Sequence, residues 1–84
     1  MSLDAQFTEA QARIKTLPSP PGNDKLLELY ALYKQATAGD VQGKRPGMMD
    51  FKGRAKFDAW ATKKGLAQDE AKQAYVTLVN QLVG

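Results

Sequence analysis

The chain has 84 residues, of which 43% are hydrophobic and 25% charged, enough apolar mass for one small core and too much for a disordered segment. It contains neither cysteine nor histidine, so disulfides, thiolate nucleophiles, imidazole bases and the usual zinc ligands are excluded together. The formal net charge of +3 is unevenly spread: residues 1–42 carry four Lys/Arg against five Asp/Glu, whereas residues 43–84 carry eight against four, a balance of +4.

In chain order, the start MSLDAQFTEAQAR has neither the basic head nor the apolar run of a signal peptide, and no later stretch is long enough to cross a bilayer. A cytoplasmic protein without stable membrane insertion is expected. Phe7, Ala10, Ile14 and Leu17 recur at helical spacing, with Ser2 placed to cap and Pro18 to stop, so the pattern predicts a first helix over 3–16. PSPPGND, residues 18–24, is a stiff connector in which Asn23 or Asp24 can cap a second helix over 24–37. That helix ends at Ala38-Gly39-Asp40, where Gly39 offers a left-handed C-cap.

GDVQGKRPGMMD, residues 39–50, has three glycines, a Pro-Gly pair and no regular period. It reads as a long loop, which in so small a chain points to a functional segment. Asp50 then caps a third helix over 51–64, with Phe57, Trp60 and Ala61 as one patch and Gly65 as the stop. The fourth helix, over 67–83, opens with Asp69 and Glu70 at its positive end and carries Ala71, Tyr75, Leu78 and Leu82 at core spacing. A single domain over residues 1–84 follows, all-α, a four-helix bundle whose long loop lets the second and third helices run parallel.

Three features exceed what a plain bundle requires. In YALYKQAT, residues 30–37, Tyr30, Tyr33 and Lys34 share one side of the second helix. The same helix is apolar over too much of its circumference, since Leu26, Leu27, Leu29, Tyr30, Ala31, Leu32 and Tyr33 cannot all face one core stripe. It is either buried on several sides or left with an open apolar groove. In the third helix, Gly53 sits one turn inside, at a cost of about 1 kcal/mol relative to alanine, between Lys52 and Lys56, which project from one side. Close approach of a helix is one explanation of that glycine and close approach of a ligand the other. A phenol face stacks on a purine, two ammonium groups neutralise a phosphate and neighbouring leucines shelter a hydrocarbon. The combination fits a ligand with a nucleotide head and an apolar tail, beside the plainer reading of a basic helical binding module with a solvated lysine face.

YALYKQATAGD, then RPGMMDFKGRAKFDAW, then AYV in the fourth helix resemble, in order and separation, the motifs of the acyl-CoA-binding protein family, over essentially the whole chain. The resemblance implies a four-helix bundle of up-down-down-up topology that carries long-chain fatty acyl-CoA esters without converting them, with no cofactor or metal. It further implies that Tyr30, Lys34 and Lys56 hold the 3′-phosphate of the CoA head and that Tyr33 lies against the adenine. Lys52 and Tyr75 would flank the head group, and Lys15 would reach in from the first helix. Leu27 and its neighbours would line the acyl trough. Asp50 is assigned to capping, and Phe51 and Trp60 to packing. Phe57 stands where many members have tryptophan.

A monomer exchanging fatty acyl-CoA with acyl-CoA-using enzymes is the partner expectation, with no nucleic acid. A nucleic-acid reader is the rival from another class, but the third helix offers only Arg54 among lysines and apolar residues, a poor set for reading bases. A protein-binding bundle leaves the Tyr-Lys face without a purpose. Enzymatic conversion of thioesters lacks an obvious acid pair or nucleophile system.

Overall fold

The computed structural model describes residues 2–84. Over these residues it consists of four helices: α1, Leu3–Ile14; α2, Asn23–Ala38; α3, Phe51–Ala61; and α4, Gln68–Val83. Each start has a local reason. Ser2 is the N-cap of α1, its hydroxyl accepting from the Ala5 amide at 3.1 Å. Asp50 caps α3 by accepting from the Gly53 amide at 3.0 Å. At α4 the Glu70 carboxylate accepts from the Ala67 amide at 3.3 Å, the reverse half of a capping box. The start of α2 departs from expectation: its N-cap is Gly22, without a side-chain cap, and Asn23 and Asp24 are already inside the helix.

The ends are also set locally. Gly39 follows α2 with φ +86° and ψ −151°, so it departs from the left-handed helical cap anticipated and occupies a region that is essentially glycine's alone. The third helix is shorter than its pattern. Beyond Ala61 the chain tightens into turns, with the Lys63 amide donating to the Trp60 carbonyl at 2.9 Å and the Lys64 amide to the Ala61 carbonyl at 3.3 Å.

Cross-helix pairs fix the topology. Asp4 accepts from Lys72 at 2.7 Å and Arg13 donates to Asn80 at 2.5 Å, so α1 and α4 advance in the same direction. Gln68, at the start of α4, donates to the carbonyl of Thr37 near the end of α2, which makes those two antiparallel. Lys56 lies over the Tyr30 ring and Trp60 under Lys34, which makes α2 and α3 parallel. The result is up-down-down-up. Backbone packing joins α1 to α4, α4 to α2 and α2 to α3, and no other pair of helices. The bundle is therefore an open row, 40 × 29 × 14 Å along its principal axes, with α3 held by α2 alone among the helices.

The core lies where α4 meets α1 and α2: Phe7, Ala10, Leu29, Leu32, Ala36, Ala71, Tyr75, Val76 and Val79. Sandwiched between two helices, α4 buries a wider arc than one stripe, so Val76 and Val79 are interior while Leu78 and Leu82 are only half-buried. The 39–50 loop is pinned to this frame. Gly39 carbonyl accepts from the Trp60 indole at 2.8 Å, and Asp40 accepts from the Gly65 amide and from Gln35, each at 2.8 Å. Arg45 makes a two-point ion pair with Asp58 at 2.9 and 2.6 Å.

Candidate functional site

Because α2 and α3 are parallel, their first halves lie side by side and form a groove. Asn23, Leu26, Leu27 and Tyr30 line one wall, and Phe51, Lys52, Ala55 and Lys56 the other. The cavity is about 470 Å³, within the range of ligand sites of about 300–1,000 Å³. Its floor is apolar and its rim cationic. Of the residues anticipated from sequence, Leu27, Tyr30, Lys52 and Lys56 meet here, with Lys34 one turn beyond Tyr30.

The ammonium groups are held in an unusual way. Lys56 Nζ lies 5.4 Å from the centre of the Tyr30 ring and Lys34 Nζ 4.9 Å from that of Trp60, so each helix supplies a cation to a ring of the other. Among the described residues neither lysine is in an ion pair. A ring face orients a cation electrostatically without neutralising it, so both groups keep their N–H donors and their charge for an anion. The indole of Trp60 is itself fixed by Gly39, which holds the platform under Lys34 in place. By contrast, Arg45 is matched to Asp58 and Lys63 to Glu28 at 2.8 Å. Part of the basic run in residues 43–64 is thus structural.

Tyr33 and Tyr75 stand on the other flank of α2. The Tyr33 ring is exposed and stacks on Phe7, centroids 6.1 Å apart with planes at 26°. Tyr75 is buried, its ring set edgewise to Phe7 at 5.1 Å. Burial, helped by the Tyr33 phenol, raises the Tyr75 pKa above the usual phenol value, so it stays a neutral hydroxyl that can donate. Phe7 thereby joins α1, α2 and α4 beneath Tyr33, leaving the outer face of that ring open for stacking. Lys15 is the C-cap of α1. It is exposed.

Two sequence assignments need correction. Phe51, assigned to packing, is 74% exposed and belongs to the groove. The signal was present, because nine residues at about 100° each turn Phe51 to the side of the helix opposite Trp60. No neighbouring helix crowds Gly53: a Cβ there would collide with the carboxylate of its own cap, Asp50. Leu26 and Ala55 complete the groove and were not singled out individually as ligand contacts.

A second, larger hollow of about 690 Å³ lies between α2 and α4, bordered by Lys25, Glu28, Lys63 and Glu70. There the charges are mixed, and Lys63 is already paired with Glu28. Volume favours this hollow, but unmatched charge favours the α2–α3 groove. For an anionic ligand, charge decides. Among the described residues no cluster of acidic side chains could hold a metal ion, and no helix is long and apolar enough to cross a membrane.

Comparison with known proteins gives the family. A family model described as Acyl CoA binding protein matches residues 4–79. The chain belongs to that family. It is 56% identical over 77 residues to an acyl-CoA-binding protein homolog of Caenorhabditis elegans, covering 92% of this chain and 90% of that one. An acyl-CoA-binding protein homolog of Manduca sexta is 50% identical over 84 residues, covering 99% and 93%. Among solved structures, an acyl-CoA-binding protein of Oryza sativa superposes with a TM-score of 0.93 at 44% identity, covering 98% of this chain and 91% of that one.

Proposed function

We propose that the protein binds long-chain fatty acyl-CoA esters and carries them as a single-domain, monomeric, cytoplasmic pool former, without chemical conversion. The observation that carries this reading is the crossed pair of ring-seated, unpaired ammonium groups, Lys34 over Trp60 and Lys56 over Tyr30, beside a groove floored by Leu26, Leu27, Phe51 and Ala55. Lys34, Lys56 and the Tyr30 hydroxyl hold the phosphate of the head. The adenine stacks on the open face of Tyr33, and Tyr75 donates from below. Lys52 and, from the end of α1, Lys15 screen the remaining negative charge. The acyl chain runs into the apolar floor.

A chain without histidine or cysteine has no ready nucleophile for a thioester, which supports carriage. Release to acyl-CoA-using enzymes follows from the openness of the groove. Base reading is disfavoured, since Arg54, the one arginine of α3, is half-buried.

Calorimetry over a series of acyl-CoA esters tests the proposal. Each buried methylene adds up to about 0.8 kcal/mol, so affinity should climb from octanoyl towards palmitoyl and then level. Equal binding of the two esters would remove the acyl groove from the account.

A further inference from the structure

The sharpest unexplained surface lies at the mouth of the groove, where Met48 and Met49 stand outside the lining and Phe51 belongs to it. The Asp50 amide donates to the Gly47 carbonyl at 3.0 Å, closing a turn over residues 47–50. Met48 and Met49 therefore occupy its two corner positions, which glycine, asparagine and aspartate usually fill. Their exposures are 77% and 87%, and Phe51, the next apolar residue, is 74% exposed. The turn is braced on both sides: Arg45 is clamped to Asp58 before it, and Asp50 caps α3 after it. These side chains thus form a fixed, convex, apolar tip.

Charge around the tip is mainly positive. Among the described residues Lys44, Lys52 and Lys56 are exposed and in no ion pair, whereas Asp50 is engaged with the Gly53 amide and Asp58 with Arg45, which leaves Asp24, beside the groove residue Asn23, as the nearby unengaged acid. We propose that the 47–50 turn, with Phe51, is a docking tip for the surface of an anionic lipid bilayer. Methionine and phenylalanine enter the boundary between headgroups and acyl chains, and the three lysines settle among the anionic headgroups. A bilayer fits better than a protein partner, because a specific protein interface buries roughly 800 Å² per side with matched shape, and a protruding four-residue turn offers neither. Docking there turns the mouth of the α2–α3 groove towards the lipid, although the docking itself does not rest on the acyl-CoA reading.

Sedimentation with vesicles of phosphatidylcholine containing about one-third phosphatidylserine tests the tip, using the ligand-free protein and the variants Met48→Ser/Met49→Ser and Lys44→Glu. The double variant should lose about tenfold or more in partitioning, and Lys44→Glu about fivefold, with added salt weakening the wild type. Both variants should keep the wild-type circular dichroism and melting temperature, since none of the three residues is buried. Wild-type protein that stays in the supernatant with these vesicles, or a double variant that sediments as well as wild type, overturns the proposal. Capture of a soluble protein by the tip without vesicle binding does so too.

Discussion

The two flanks of α2 differ in how they are completed. Towards α4, Leu29, Leu32, Gln35 and Ala36 are buried within the chain's own core, and Gln35 donates to the Leu66 carbonyl and to Asp40. Towards α3, the equally apolar Leu26 and Leu27 border an open groove lined by Lys56, with Lys34 over Trp60 nearby, and among the described residues no acid pairs with either lysine. A helix apolar all round normally signals full enclosure. Here the protein encloses one side, and under the proposed function the other is finished by what it binds. Stability should therefore reside mainly on the α4 flank, and affinity mainly on the α3 flank with the exposed Tyr33 ring beside it.

The largest effect should come from the closed flank. Leu32→Ala should cost about 2–5 kcal/mol of unfolding free energy, through lost transfer energy and the cavity left behind, as read from urea denaturation. Leu27→Ala, half-buried at the groove, should lower palmitoyl-CoA affinity with a clearly smaller loss of stability. Next, Lys34→Ala should weaken ligand binding by about 1.5–3 kcal/mol, the range for a hydrogen bond to a charged group, while the thermal melt barely moves. An equal loss in both measurements would make Lys34 part of the scaffold.

Smaller still is a coupling at the start of α3. Gly53→Ala gains about 1 kcal/mol of helix propensity but expels the Asp50 cap, worth about 1 kcal/mol, so alone it should be near neutral. In an Asp50→Ala background the same change should stabilise, and a double-mutant cycle should return a coupling of about 1 kcal/mol. The smallest effect is acid sensitivity. The Gly65 amide, then Gln35, hold Asp40 below the usual carboxylate range, and the hydrogen bond from Arg45 does the same for Asp58. A lowered folded value means that this stabilisation is present above about pH 4 and is lost as pH falls through the lowered values. Melting temperatures measured down this range should fall, and less so in Asp40→Asn/Asp58→Asn.

Much of this contrast is legible in the sequence because it is local. Periodicity places all four helices within a few residues, and the Ser2 and Asp50 caps follow from short-range chemistry. The excess apolar surface of the second helix leaves enclosure and an open groove as alternatives, and the fold has one on each flank. What is not legible depends on partners distant in sequence. Nothing near Arg45 marks it as the mate of Asp58, and nothing in FDAW shows that Trp60 will seat Lys34. Phe51 was assigned to packing by its residue type, although its angular position on α3 turns it outward. For Gly53, the relevant neighbour was only three residues away, but it acts through the direction in which a cap side chain folds back. Lys15 is the reverse case: family resemblance places it at the head group, and nothing local in the sequence fixes where the exposed end of α1 lies relative to the groove.

The central claim is that the α2–α3 face is completed by its ligand, and an NMR titration with palmitoyl-CoA tests it most directly. The account predicts that the largest amide shifts fall on Leu26, Leu27, Tyr30 and Lys34 of α2 and on Phe51, Lys52, Ala55 and Lys56 of α3. Shifts concentrated instead around Lys25, Lys63, Gln73 and Thr77, in the larger hollow against α4, would contradict it.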